Sequence, residues 1–284
     1  MNPITIIARL TFREAIRRRI MLAGLVLGIA FVVLYSIGTH FIFRQISDEA
    51  LVNLPSKMAA DILIAESTNT FMMMGLYAAA FLSVAMAALL GADTLAGEIN
   101  SGTIQTIATK PIRRADIVLG KWLGFAELLG LYVLLLAGGI FLSVFIRTGY
   151  TPQNLWSGLG LIYMESILIM TITLMLSSAF PALATGGIVF GLYGLAFIGG
   201  WVEQFGAIFQ NDTAIKVGII TSLIIPSETL WKRAAFEMQA PLTGSFNSPF
   251  AITSVPSPLM IGYAFLYLVV ILYIAVRIFQ TRDL

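Results

Sequence analysis

The chain has no cysteine and a single histidine, His40. The first absence excludes disulfides, thiolate nucleophiles and cysteine-ligated zinc or iron–sulfur centres. The second excludes histidine-cluster metal sites and most histidine-based acid–base mechanisms. Charge is scarce too. Only 11% of the 284 residues are Asp, Glu, Lys or Arg, against about 25% in soluble domains. So little charge cannot cover a water-facing surface. With 58% hydrophobic residues, the chain reads as an integral membrane protein without room for a large soluble domain. No signal peptide is expected: the first apolar run is too long for one, follows a basic segment and shows no small-residue cleavage site.

What is there is apolar and periodic only in blocks. A bilayer core of about 30 Å needs roughly 20 apolar residues in a helix. Six segments qualify: Ile20–Phe43, Thr70–Ala92, Leu119–Ile146, Ser157–Phe180, Ala184–Val202 and Pro258–Val276. They must be helices, because backbone facing lipid has to satisfy its own hydrogen bonds. The fold class is therefore an all-α integral membrane protein, one domain over 1–284, with a six-span bundle over 20–284.

Lys and Arg set the orientation. With the N-terminus inside, eleven of them fall in cytoplasmic segments and six outside. Both termini are then cytoplasmic, in a multi-pass protein of a cytoplasmic membrane. The stretch Arg44–Asn69, with Asp48, Glu49, Asp61 and Glu66, becomes a polar outer loop. Residues 1–19 read as an amphipathic helix, with Arg9, Arg13 and Arg17 on one stripe and Ile4, Ala8, Phe12 and Ala15 on another face. Such a helix suits an anionic headgroup plane, and its arginines also simply fix topology. Residues 206–256 are irregular. Val217–Ile225 is too short to span. Ser227–Gln239 reads as a short amphipathic helix with the pairs Glu228–Lys232 and Arg233–Glu237 at i,i+4 and an interfacial Trp231. These are expected as helices in the outer interface; an ordinary loop and a re-entrant hairpin remain open.

The segment 93–118 between the second and third spans is the most informative. Asp93–Asn100 continues the second helix. Ser101-Gly102 breaks it, since glycine favours a helix C-terminus. Thr103–Thr109 is long enough for about two turns, and Lys110-Pro111 breaks the chain again. The result is a compact knob from Asp93 to Arg114 that fits a groove on a cytoplasmic partner, or a plain connector. The run Glu98-Ile-Asn-Ser-Gly102-Thr103, then Lys110-Pro111-Ile112-Arg113-Arg114 and Leu119-Gly120-Lys121, resembles the permease subunits of type 2 ABC transporters. Thr11–Arg19 is similar to that family's interface helix before its first span. The resemblance spans nearly the whole chain in layout, though the polar outer loop is longer than the minimal pattern.

The resemblance implies an ATP-driven exporter permease. It implies an ABC ATPase subunit as partner in two copies, a second permease copy as a homodimer in the lipid bilayer, and no nucleic acid. It also implies a bacterial or archaeal membrane. ATP and Mg would sit on the partner, with no cofactor on this chain. Arg13, Arg17, Glu98, Gly102, Thr103, Pro111 and Arg113 would couple to the ATPase. The sequence agrees that hydrolysis lies elsewhere. Gly120-Lys121 is no P-loop, because Ala115 and Trp122 stand where Gly and Ser or Thr belong. The chain is thus expected not to be an enzyme.

Two acids fall inside spans. Glu127 and Glu165 line a translocation pathway in one reading. In the other, Glu127 snorkels to the inner interface. A secondary transporter or channel that uses both for protons or cations is the alternative function. Met72-Met73-Met74 reads as flexible packing rather than a soft-metal site, and no metal is expected. Alanines of the second span and glycines of the fifth, from Gly186 to Gly200, permit close helix packing. Asn211-Asp212-Thr213 matches a glycosylation sequon, a pattern short enough to arise by chance.

Overall fold

A computed structural model of the chain describes residues 2–53, 56–100, 113–239 and 254–281. It is built of helices: α1 (Pro3–Arg17), α2 (Arg19–Asn53), α3 (Lys57–Ala92), α4 (Thr94–Asn100), α5 (Arg114–Thr148), α6 (Leu155–Ser177), α7 (Ala182–Ile208), α8 (Asp212–Ile224), α9 (Ser227–Met238) and α10 (Pro258–Thr281). Six are long and apolar enough to cross a bilayer: α2, α3, α5, α6, α7 and α10. The six expected spans all fall on these helices.

The ends differ from expectation. Arg44–Asn69 is not a loop: α2 runs on to Asn53 and α3 starts at Lys57. Ser56 caps α3 by accepting a bond from the Ala59 amide at 3.2 Å. The polar residues there carry no helix-breaking pattern beyond Pro55, so the helices continue past the apolar stretch. The fifth span likewise extends to Ile208, through Glu203 and Gln204. Both are buried, which polarity alone does not foretell.

α6 is the axis of the bundle. It packs against α3, α5, α9 and α10, and Leu168, Met170, Thr171, Thr173 and Leu174 along it are wholly buried. Met72 and Met73 fill the core beside it, whereas Met74 points outward. Hydroxyls inside the helices bond back to their own backbone, as Thr173 Oγ1 does to the Ile169 carbonyl at 2.7 Å and Ser83 Oγ to Ala79 at 2.8 Å. A buried hydroxyl left unbonded would cost more than this local bond.

α8 folds back along α7, its most extensive helix contact in the molecule. Glycine makes this possible. A Cβ at Gly199 would collide with the Thr221 side chain, and one at Gly218 with Glu203. The four glycines nearer the start of α7, Gly186, Gly187, Gly191 and Gly194, have open space instead. Asn211 caps α8: its Oδ1 accepts from the Thr213 and Ala214 amides at 3.1 Å each. That cap gives the sequon-like Asn211-Asp212-Thr213 a structural purpose. α8 and α9 meet at a bend of 108°. α9 is buried against α6, whereas α8 buries only Gly218 and Ser222 and leaves Val217, Ile219, Ile220, Leu223 and Ile224 exposed.

Candidate functional site

One end of the bundle gathers α1, α4, the start of α5 and the end of α10. A second apolar cluster holds them, with Leu95 of α4, Ile117 and Val118 of α5, Leu174 of α6, and Ala275 and Phe279 of α10. Arg114 Nη1 donates to the Gln280 carbonyl at 3.1 Å and closes the ring. α1 lies along the base of α5. The contact is backbone-close, because a Cβ at Gly120 would stand 2.6 Å from Ile7 Cβ and one at Gly124 would stand 2.5 Å from the Ala8 carbonyl oxygen. The glycine of Leu119-Gly120-Lys121 is thus the seat of α1. Lys121 beside it is buried.

α1 turns Ala8, Thr11 and Ala15 inward, with Ile4 and Phe12 half-buried. Its outer face carries Arg9, Arg13 and Arg17, all exposed, interleaved with exposed Ile6, Leu10 and Ile16. Arg18 is tied to Glu14 at 2.7 Å. This mixture of cations and aliphatics departs from a clean two-faced helix. It follows from the small inward residues, which are the face that packs on α5. Glu98 lies on α4, after the turn at Asp93 that ends α3. Arg113 is the exposed residue at which the chain enters α5, in an extended conformation. Gly102, Thr103 and Pro111 lie outside the described residues. Arg13, Arg17, Glu98 and Arg113 therefore stand on elements that share one end of the bundle.

A second polar constellation lies far from this face, where the α8–α9 hairpin meets α3, α6 and α7. Glu165 of α6 is 1% exposed. α9 runs antiparallel to α6, with Met238 against Gly158, which brings the start of α9 toward Glu165. There Glu228, 4% exposed, accepts from the Tyr77 hydroxyl of α3 at 3.4 Å. The Tyr77 ring packs 4.8 Å from Trp231 and 6.2 Å from Phe197. Each carboxylate keeps one oxygen, Oε2, without a hydrogen-bond partner. Next along α9, Lys232 reaches Glu203 of α7 at 3.0 Å, and Ser254 donates to the other oxygen of Glu203.

These contacts correct two expectations. Lys232 makes its ion pair with Glu203 across the helix interface, while Glu228 is buried against Tyr77. Trp231 is 6% exposed and packs against Tyr77 rather than facing out of the bundle. The Arg233–Glu237 pair does form, at 2.5 Å, and Asn154 donates to the same carboxylate at 3.0 Å. Glu127 and Glu165 are not brought to one site. Glu127 is exposed on the outward stripe of α5 with Leu123, Leu131 and Leu134, while Glu165 is interior.

The family follows from sequence comparison. Residues 5–284 match the model of the ABC-2 family transporter proteins, and the chain belongs to that family. It is a multi-pass membrane protein and a permease subunit of an ABC transporter. No curated protein is similar enough to match the chain.

Proposed function

We infer that this permease is the membrane half of an ATP-driven exporter, and that its motor docks on the end formed by α1, α4 and the start of α5. One observation carries this reading: α1 is fixed to α5 at Gly120 and Gly124 and presents Arg9, Arg13 and Arg17 to the outside. A helix so seated moves with α5 as one rigid element, which suits transmission of a partner's closure as a tilt of the spans. The knob between Asp93 and Arg114, with Glu98, Gly102, Thr103, Pro111 and Arg113, supplies the rest of the coupling surface. Six spans alone enclose little space, so two copies pair, in the symmetry commonest for such assemblies. Both termini face the cytoplasm of a bacterial or archaeal cell. The cargo is amphipathic or apolar, because the spans are built mainly of apolar residues.

The ion-coupled alternative used Glu127 and Glu165 together. Their separation, one outward and one interior, gives it no common site. The test is affinity purification of the permease from its own membranes, followed by mass spectrometry. A P-loop ATPase is expected with wild-type protein and is expected to be lost from Arg13→Glu/Arg17→Glu, with membrane insertion unchanged. Recovery of the same ATPase from the doubly reversed protein would move the docking face elsewhere.

A further inference from the structure

Arg147 lies near the end of α5, two residues before the left-handed Gly149 (φ 66°) that caps it. Among the described residues its guanidinium is held only by uncharged oxygens. Nη1 donates to Ser143 Oγ at 2.6 Å, the Ser143 carbonyl at 3.1 Å and Thr39 Oγ1 at 3.2 Å; Nη2 donates to Ser36 Oγ at 2.9 Å. No carboxylate pairs with it among the described residues. A guanidinium is always charged, so these bonds fix its position and leave its charge uncompensated. Arg147 is exposed and open to a ligand.

Thr39, which is buried and accepts from Arg147, also borders an apolar cavity. This groove, of about 210 Å³ between α2 and α3, has walls from Phe31, Tyr35, Gly38 and Thr39 on one side and Phe71 and Met74 on the other. Depth along α2 ties the two together. Ser36 and Thr39 follow Arg19 by seventeen and twenty residues, roughly 26–30 Å along a helix. That is about the thickness of bilayer hydrocarbon. With Arg19 at one headgroup layer, Arg147 stands at the other. Phe31 lies eight residues before Thr39, roughly 12 Å deeper. The groove thus descends from headgroup depth into the hydrocarbon.

We propose that Arg147, positioned by Ser36 and Thr39, and the α2–α3 groove bind one anionic lipid, its phosphate on the guanidinium and an acyl chain in the groove. Arginine suits phosphate because its planar fork gives two parallel charge-assisted bonds. Inorganic phosphate shares that headgroup chemistry but gains nothing from the groove. The site is independent of the transport reading.

The test is native mass spectrometry of the delipidated full-length permease, titrated with phosphatidylglycerol or phosphatidylcholine of the same acyl chains. One phosphatidylglycerol is expected to bind about tenfold more tightly than phosphatidylcholine, which offers the same phosphate but whose quaternary ammonium cancels the headgroup charge beside the guanidinium. Arg147→Gln should equalise the two lipids, and Arg147→Lys should keep part of the preference. Gly38 has no atom within 4 Å of an added Cβ, so Gly38→Leu projects into the groove without straining α2 and should weaken both lipids. Equal binding of the two lipids to wild type would overturn the proposal. So would an unchanged preference in Arg147→Gln, an unaffected Gly38→Leu, or displacement of phosphatidylglycerol by excess inorganic phosphate. If Arg147→Gln fails to fold, the Gly38→Leu and phosphate arms still decide.

Discussion

Lys232 is 4% exposed, and its ammonium lies 3.0 Å from Glu203. A buried pair of this kind adds little net stability over an apolar pair, but breaking it leaves a charge stranded. Glu203→Ala should therefore cost about 3–5 kcal/mol, read as a lowered thermal unfolding midpoint in detergent. Glu203→Leu with Lys232→Met should recover most of the loss. A single variant that unfolds with wild type would show that the pair has no structural role. Glu165 is a different case, since its Oε2 has no partner to lose. Glu165→Gln keeps the volume and replaces the carboxyl by an amide, so the thermal unfolding midpoint should not fall. If Glu165 borders the cargo route, transport should drop roughly tenfold, the scale of one hydrogen bond to cargo. Transport at the wild-type rate would remove it from that route. Glu165 was legible as an acid in an apolar run. Its neighbour Glu228 was not, because Glu228 and Lys232 at i,i+4 read like a solvated helix face. Gly158 of α6 and Gly200 of α7, which seat Met238 and Glu228, turn that face inward.

At the scale of elements, glycine decides where helices touch. The sequence showed a glycine-rich fifth span but could not say which glycines meet a neighbour. Gly199 abuts Thr221, whereas Gly186 faces open space. Gly199→Leu should lose about 1–3 kcal/mol through overpacking, while Gly186→Leu should leave thermal unfolding of the isolated permease unchanged. Equal effects at the two positions would mean that α8 does not pack on α7 as described. The spans themselves were legible because each needs about 20 apolar residues. Their extensions were not: α2 beyond Phe43 and α3 before Thr70 are interrupted by Asp48, Glu49, Asp61 and Glu66, which breaks the apolar run without breaking the helix. The seat of α1 was half legible. Ala8 and Ala15 fell on the expected inner face, but the mixture of Leu10 and Ile16 with arginines on the outer one hides the periodicity.

Across the whole molecule, α1 and the end of α10 share one end of the bundle, as an even number of spans requires. The absence of cysteine makes orientation simple to read. Thr5→Cys and Thr281→Cys should both react with an impermeant maleimide only in inside-out vesicles, and Asp61→Cys only in right-side-out ones. Labelling of Thr5→Cys and Thr281→Cys from opposite sides would break the six-span topology. We propose that this permease works by coupling to a separate motor through its α1 end. The most direct measurement is the mass and subunit ratio of the particle purified gently from native membranes, by light scattering with quantified peptides. A particle of two permeases and two ATPases is predicted. A permease recovered with no ATPase, still transporting on an ion gradient alone, would contradict the account.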